Sequence, residues 1–167
     1  MMRIAARYDS PLGGMTMACE GEFLTGLWFD GQRHFEGMPE EAFVPSGADE
    51  PAVLALTRKW LDSYFSGSNP GFTPPLKPEG TPFQQAVWRI LLTIPYGKTI
   101  TYGEIATTLA DDRGGAKPSA RAVGNAVGHN PISLIIPCHR VVGASGRLTG
   151  YAAGLDRKAS LLALEQG

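Results

Sequence analysis

One of the chain's two cysteines, Cys138, directly follows a proline and precedes a histidine and an arginine, in the stretch "NPISLIIPCHRVVG" over residues 130–143. The apolar run "LIIP" belongs in a core, so the tripeptide Cys138-His139-Arg140 stands at the end of a rigid support. A thiol becomes a nucleophile when a nearby base or cation releases its thiolate. His139 is the base at hand, but adjacency is not contact. Successive side chains point to opposite faces of a strand, and neighbours on a helix also diverge. Proton transfer from Cys138 to His139 therefore needs a turn here or a bridging water, and a third group to orient the imidazole. Glu165 is the candidate for that group because carboxylates are few in this half of the chain. A packing role for Cys138 stays open, since free cysteine is among the most buried residue types.

The rest of the composition narrows the classes. A chain of 167 residues makes one or two small domains with a sizeable core. Two cysteines cannot build a disulfide framework, and Cys19, in the alternating "MTMAC", reads as a packing residue. Three histidines without CxxC or HExxH spacing argue against a zinc site, so no metal is expected. No apolar run has membrane-spanning length and "MMRIAARYDS" lacks a signal-peptide core, which reads as a cytoplasmic protein without a membrane partner. The net charge of −1 hides an asymmetry: residues 1–80 hold 6 basic and 11 acidic side chains, residues 81–167 hold 9 and 5. A polyanion is drawn to the second half and repelled by the first.

The elements that must position Cys138 follow from periodicity and caps. "MRIAARY", "GMTMAC" and "FLTGLWF" are β-leaning runs divided by turn residues, which predicts a three-stranded antiparallel meander. "GQRHFEGMPEEAFVPSGADE" reads as a loop. Residues 51–65 place Val53, Leu56, Trp60, Leu61 and Tyr64 on one helical face. The Pro- and Gly-dense residues 66–80 mark a domain boundary, giving an N-terminal domain over 1–75 and a C-terminal one over 76–167. In the second half, Thr81 with Gln84 and Thr101 with Glu104 read as capping boxes, the first helix running through Ile94 and the second ending near Ala110. A polar loop "DDRGGAK" follows, and Pro118 and Ser119 open the small-residue helix "ARAVGNAVG". "SLII" reads as an extended run, and Asp156 as the cap of the last helix. The two successive short helices resemble a helix-turn-helix, and the low bulk of the second lets its backbone approach another surface closely, in the core or in a groove.

"IPCHRVVG" resembles the active-site motif of the O6-alkylguanine-DNA alkyltransferases, the methylated-DNA–protein-cysteine methyltransferases. "FQQAVWRIL", "IPYGKTITYGEIA", "ARAVGNAVGHNP" and "GRLTGYAAGLDRKASLLALE" resemble the family's other blocks, in its order, over nearly all of residues 81–165. The resemblance implies an α/β N-terminal domain (RNase H-like, a short antiparallel sheet plus helix) followed by a mainly α-helical, winged-helix-like C-terminal domain. It implies transfer of a methyl or larger alkyl group from O6 of guanine, and from O4 of thymine, in a flipped-out nucleotide to Cys138, irreversibly and without a cofactor. His139 then corresponds to the base acting through water, Glu165 to its polariser, and Tyr102 to the proton donor for the leaving guanine. Arg121 and Tyr102 correspond to the pair that extrudes the nucleotide, with Ala122 on the same DNA-facing helix. Asn130, Val141, Tyr151 and Ala152 correspond to the turn and pocket around the guanine. The implied partner is alkylated double-stranded DNA bound through its minor groove by a monomer, with cooperative binding along DNA as an added option. Two departures stand out: the long 111–117 loop, and Ala152 and Ala153 in "YAAG". The alternatives are a non-catalytic reader of alkylated DNA, a Cys–His hydrolase, and a helix-turn-helix binder with a structural Cys138.

Overall fold

The computed structural model describes residues 2–45, 47 and 49–167, so the loop reading at Ser46 and Ala48 lies outside the described residues. The chain divides into two compact units: one runs to Glu79 and takes in Pro131–Ser133 and Gly167, the other comprises Gly80–Asn130 and Leu134–Gln166.

In the first unit β1 (Ile4–Ser10), β2 (Gly13–Glu20) and β3 (Phe23–Phe29) form the expected antiparallel meander. The free edge of β3 is covered twice, by Pro75 and Lys77 bonded to Leu24 and by Pro131 and Ser133 bonded to Leu27. Such cover removes the unpaired backbone groups that make an edge strand sticky. The predicted loop after β3 contains a 3-10 turn at Glu40–Ala42 and a parallel bridge from Phe43 to Ala5. Helix α1 (Ala52–Phe65) buries Val53, Leu54, Thr57, Trp60, Leu61 and Tyr64. Thr57 takes the place expected for Leu56, which is half-buried. A threonine can do so because its hydroxyl donates to the Val53 carbonyl at 2.8 Å, leaving no polar atom unsatisfied.

In the second unit α2 (Pro82–Leu91) opens with the full Thr81–Gln84 capping box. It stops short of Ile94, which is buried in the turn that follows. Trp88 pins α2 to α4 (Ala120–Gly128) by donating its indole N–H to the Ala126 carbonyl at 2.9 Å. Strand β4 (Ile100–Thr101) leads into α3 (Tyr102–Arg113), and β4 pairs in parallel with β5 (Val141–Val142). Thr101 caps α3 by accepting from the Glu104 N–H, but the Glu104 carboxylate accepts from the Thr101 hydroxyl and not from its backbone, so the box is only half made. The helix runs through residues 111–113, expected to be loop, and ends where Gly114 turns left-handed at φ 60°. The polarity of "DDR" marks an exposed last turn, and the glycine is the stop signal.

Two further expectations are corrected. "SLII" is not extended: residues 133–135 form turns and Leu134 has φ 70°. The side-chain amide of Asn130 donates to the Ile136 carbonyl at 2.7 Å and folds the segment back on itself. Helix α5 (Leu155–Glu165) is preceded by Gly154 at φ 98° and has no side-chain cap; Asp156 lies inside the first turn, where its carboxylate complements the helix dipole. No helix among the described residues is long and apolar enough to cross a membrane.

Candidate active site

Pro137 ends the apolar run, and Cys138–Arg140 form a single 3-10 turn between it and β5. The turn is tied by Cys138 N–H to the Ile136 carbonyl at 2.8 Å and by Arg140 N–H to the Pro137 carbonyl at 3.0 Å. Three residues per turn set Cys138 and His139 about 120° apart around the axis, so their side chains leave in different directions. Opposite them, α5 presents Lys158, Leu161 and Glu165 on one buried stripe at helical spacing.

His139 and Glu165 are both buried, and His139 Nε2 lies 2.5 Å from Glu165 Oε2. A carboxylate only accepts, so Nε2 carries the proton and Nδ1 is the basic nitrogen. Burial pulls the imidazole below its ordinary pKa, Glu165 opposes this, and Arg140 and Lys158 add to it, leaving a neutral ring able to take a proton. Burial pushes the Cys138 thiol up, while the Asn130 amide, the Lys158 ammonium, its own backbone N–H and the Tyr151 hydroxyl all pull it down. Burial wins, so the resting group is a thiol that must be deprotonated on demand. Burial likewise raises Tyr102, keeping its hydroxyl protonated and able to donate, and that hydroxyl reaches the Thr149 carbonyl at 3.5 Å.

The fold thus gathers Cys138, His139, Glu165, Asn130, Tyr151 and Tyr102 in one unit. Val141 is fully buried in β5 next to the turn, and Ala152 is half-buried in the turn ahead of α5. Arg121 and Ala122 stand apart, exposed on α4, where the Ala122 N–H donates to the capping Ser119 hydroxyl. Tyr102, the first residue of α3, lies against α4 at Gly124, where a Cβ added to the glycine would stand 3.7 Å from its ring. Sequence reasoning missed two buried cations. Lys158 donates to the Thr149 and Gly150 carbonyls at 2.8 and 3.2 Å, and burial lowers its pKa to about 8. Arg140 forks onto Glu165, from Nε to Oε1 at 2.8 Å and from Nη2 to Oε2 at 3.2 Å. The available signal was spacing: Lys158 lies seven residues before Glu165 and three before Leu161, on the stripe that α5 buries. Among the described residues no cluster of His, Cys, Asp or Glu side chains could hold a metal ion.

Fold and site together define a two-unit protein that buries a thiol, an imidazole and a carboxylate in its helical second unit. The chain belongs to the 6-O-methylguanine DNA methyltransferase family: the model of that family's DNA-binding domain matches residues 82–167, and that of its ribonuclease-like domain residues 4–78. A methylated-DNA–protein-cysteine methyltransferase of Methanosarcina barkeri is 55% identical over 161 residues, covering 95% of this chain and 94% of that protein. One of Mycobacterium tuberculosis is 47% identical over 161 residues, covering 95% and 89%. The crystal structure of Mycobacterium tuberculosis OGT in complex with DNA matches with a TM-score of 0.80 at 46% identity, covering 97% of this chain and 92% of that one.

Proposed function

We propose that this chain is a direct-reversal DNA-repair protein, a methylated-DNA–protein-cysteine methyltransferase that accepts one alkyl group on Cys138 and keeps it. The observation that carries this reading is the buried Cys138 thiol beside a neutral His139 braced by Glu165, in a chain whose relatives bear that name. A base inside a duplex cannot offer O6 to in-line attack, so the nucleotide is flipped into the site, at a cost of a few kcal/mol. Arg121, on the small-residue face of α4, fills the vacated stack from the minor groove, and Ala122 lies against the backbone beside it. Asn130, Val141, Tyr151 and Ala152 hold the extruded guanine.

The thiol proton passes through a water to His139 Nδ1, and Glu165 stabilises the imidazolium. The sulfur then bonds the alkyl carbon as the carbon–O6 bond breaks, and the Tyr102 hydroxyl supplies the proton that the leaving guanine takes up. His139 returns its proton to the phenolate through solvent, so the balance is thiol plus alkylguanine giving thioether plus guanine. The thioether does not turn over, so each molecule acts once and without a cofactor. The same chemistry extends to O4 of thymine. Residues 1–75 form the N-terminal α/β domain and 76–167 the DNA-binding and catalytic domain of a cytoplasmic protein. It acts as a monomer on alkylated duplex DNA, bound through the minor groove.

Intact-protein mass spectrometry after mixing with a duplex holding one O6-methylguanine tests this. A gain of one methylene unit on the Cys138 peptide, saturating at one equivalent, is expected. No gain with tighter binding of the lesion duplex points instead to a non-catalytic reader of alkylated DNA. Arg121→Ala is expected to slow repair of duplex far more than transfer from the free alkylguanine base, and equal slowing of both removes the stacking role.

A further inference from the structure

Arg140 has no part in the chemistry above, yet its guanidinium is buried and every nitrogen is used. Nε and Nη2 grip the two oxygens of Glu165, and Nη1 donates to the Ile94 carbonyl at 2.8 Å. The guanidinium lies 5.7 Å from the centre of the Tyr96 ring. Glu165 Oε1 also accepts the Gly97 N–H at 3.0 Å, and the Gln166 side chain donates to the Gly97 carbonyl at 2.9 Å. The carboxylate therefore accepts three hydrogen bonds, two from Arg140 and one from Gly97, besides its contact with His139. One oxygen, Oε2, is shared between His139 and Arg140.

We propose that Arg140 is a positioning residue for alkyl transfer: its fork fixes Glu165 for His139 and neutralises enough of the carboxylate to keep the imidazole unprotonated at rest. The inference rests on the reading of His139 as the base. An unshared buried carboxylate 2.5 Å from an imidazole draws a proton onto it, because the ion pair is stronger than a neutral contact in a low-dielectric site. A base that is already protonated cannot take the thiol proton. With Arg140 in place Glu165 is paired, the ring stays neutral, and Oε2 still stabilises the imidazolium once the thiol proton arrives. The groups facing His139 are Glu165 and Lys158 from α5 and Arg140 from its own turn; Tyr96, after α2, faces Glu165 and Arg140. Among these, Glu165 alone raises the imidazole, and Arg140 is the cation bonded to it.

The test is the pH profile of single-turnover transfer from an O6-methylguanine duplex, with the His139 ring followed by nitrogen NMR in the same proteins. In Arg140→Met the acidic limb and the His139 titration are expected to move up together by about one pH unit, a tenfold loss near neutrality that recovers at higher pH. Arg140→Lys keeps the charge without the fork, so its rate falls at every pH while the limb stays where it is. A loss in Arg140→Met that is uniform across pH, with His139 titrating as in the wild type, overturns the proposal. If Arg140→Met does not fold, Arg140→Lys decides: a limb displaced by a full unit despite the retained charge overturns it. His139→Ala is run alongside. If it transfers at the wild-type rate, the base reading itself fails, whereas unmoved profiles in the arginine variants alone remove only the role of Arg140.

Discussion

The two cysteines are almost equally buried, Cys19 at 1% and Cys138 at 5% exposure, and burial raises the pKa of both. What surrounds them differs in sign. Cys19, in β2 beside a register shift, faces Ile4 and Leu24 across the sheet, and the charges that reach it are those of Glu20 and Glu50, which hold its proton on. Around Cys138 every influence other than burial favours the thiolate: the Asn130 amide, the Lys158 ammonium, its own backbone and the Tyr151 hydroxyl. Burial alone therefore does not separate a packing thiol from a reactive one; the sign of the neighbouring groups does.

The largest expected effect breaks this comparison cleanly if it is wrong. Cys138→Ala is expected to abolish alkyl transfer, below a thousandth of the wild-type rate, with duplex binding nearly unchanged because the thiol meets only the alkyl carbon. Cys19→Ala is expected to transfer one equivalent at the wild-type rate. Intact mass and a binding titration on both variants decide it, and label found on Cys19 ends the distinction drawn here.

Lys158 carries the next largest effect. Replacing it with methionine keeps the length of the stem and removes a cation that lowers the Cys138 thiol. Peptide-resolved carboxymethylation across pH is expected to show Cys138 reacting roughly 10- to 100-fold more slowly near neutrality, equivalent to one or two pH units, while Cys19 in the same sample serves as the unmoved reference. Equal slowing at both cysteines means that the variant has changed local opening and not the charge.

This charge environment was the least legible part of the sequence. Local rules worked where the determinants are local: the meander follows from alternation and turns, and the starts of α2 and α4 from Thr81 and Ser119, whose hydroxyls accept the expected N–H groups. The ends of elements were harder, because α3 stops at Gly114 and not where its polarity begins. An apolar, β-branched run around Leu134 looks extended whatever a neighbouring side chain imposes, and here the Asn130 amide imposes a turn. Cys138, His139 and Glu165 were placed by resemblance to a family's motifs; spacing by itself could not bring Glu165 to His139. Lys158 and Arg140 escape a sequence reading because lysine and arginine are the residues expected on a surface; the partners of Lys158 are backbone carbonyls of a loop, and Arg140 divides its donors between Glu165 and the Ile94 carbonyl. A carbonyl has no sequence identity, so nothing in a residue pattern announces it as the partner of a buried cation.

A smaller effect sharpens the other side. Cys19→Ala removes a buried sulfur from β2 and is expected to cost about 1–2 kcal/mol in denaturant unfolding, through lost burial and a small cavity. For Cys138→Ala the loss is expected to be smaller, since Asn130 keeps its bond to the Ile136 carbonyl without the thiol. Should Cys138→Ala be the more destabilised, Cys138 is a packing residue as well as a nucleophile.

The smallest effect comes from the protonation of Lys158. Its folded value of about 8 lies below the ordinary 10.5, so the unfolded chain binds the proton more tightly. Between about pH 8 and 10.5 the unfolded state therefore carries more proton at this site, and the lysine's contribution to stability rises with pH; below 8 the buried charge is a constant cost. Cys138 works in the opposite sense, since a raised thiol loses stability as the pH climbs above its ordinary value of 9.0; Lys158→Met raises the thiol further, so the variant loses more of this term and the difference moves the same way. The difference in Tm between the two proteins is expected to move in favour of wild type by roughly 2–4 °C as the pH rises from 7.5 to about 10. A difference that stays flat across this range would mean that Lys158 keeps an ordinary pKa. The group that favours the thiolate at Cys138 would then do so without a desolvation cost, and its charge would persist beside the thiol to higher pH.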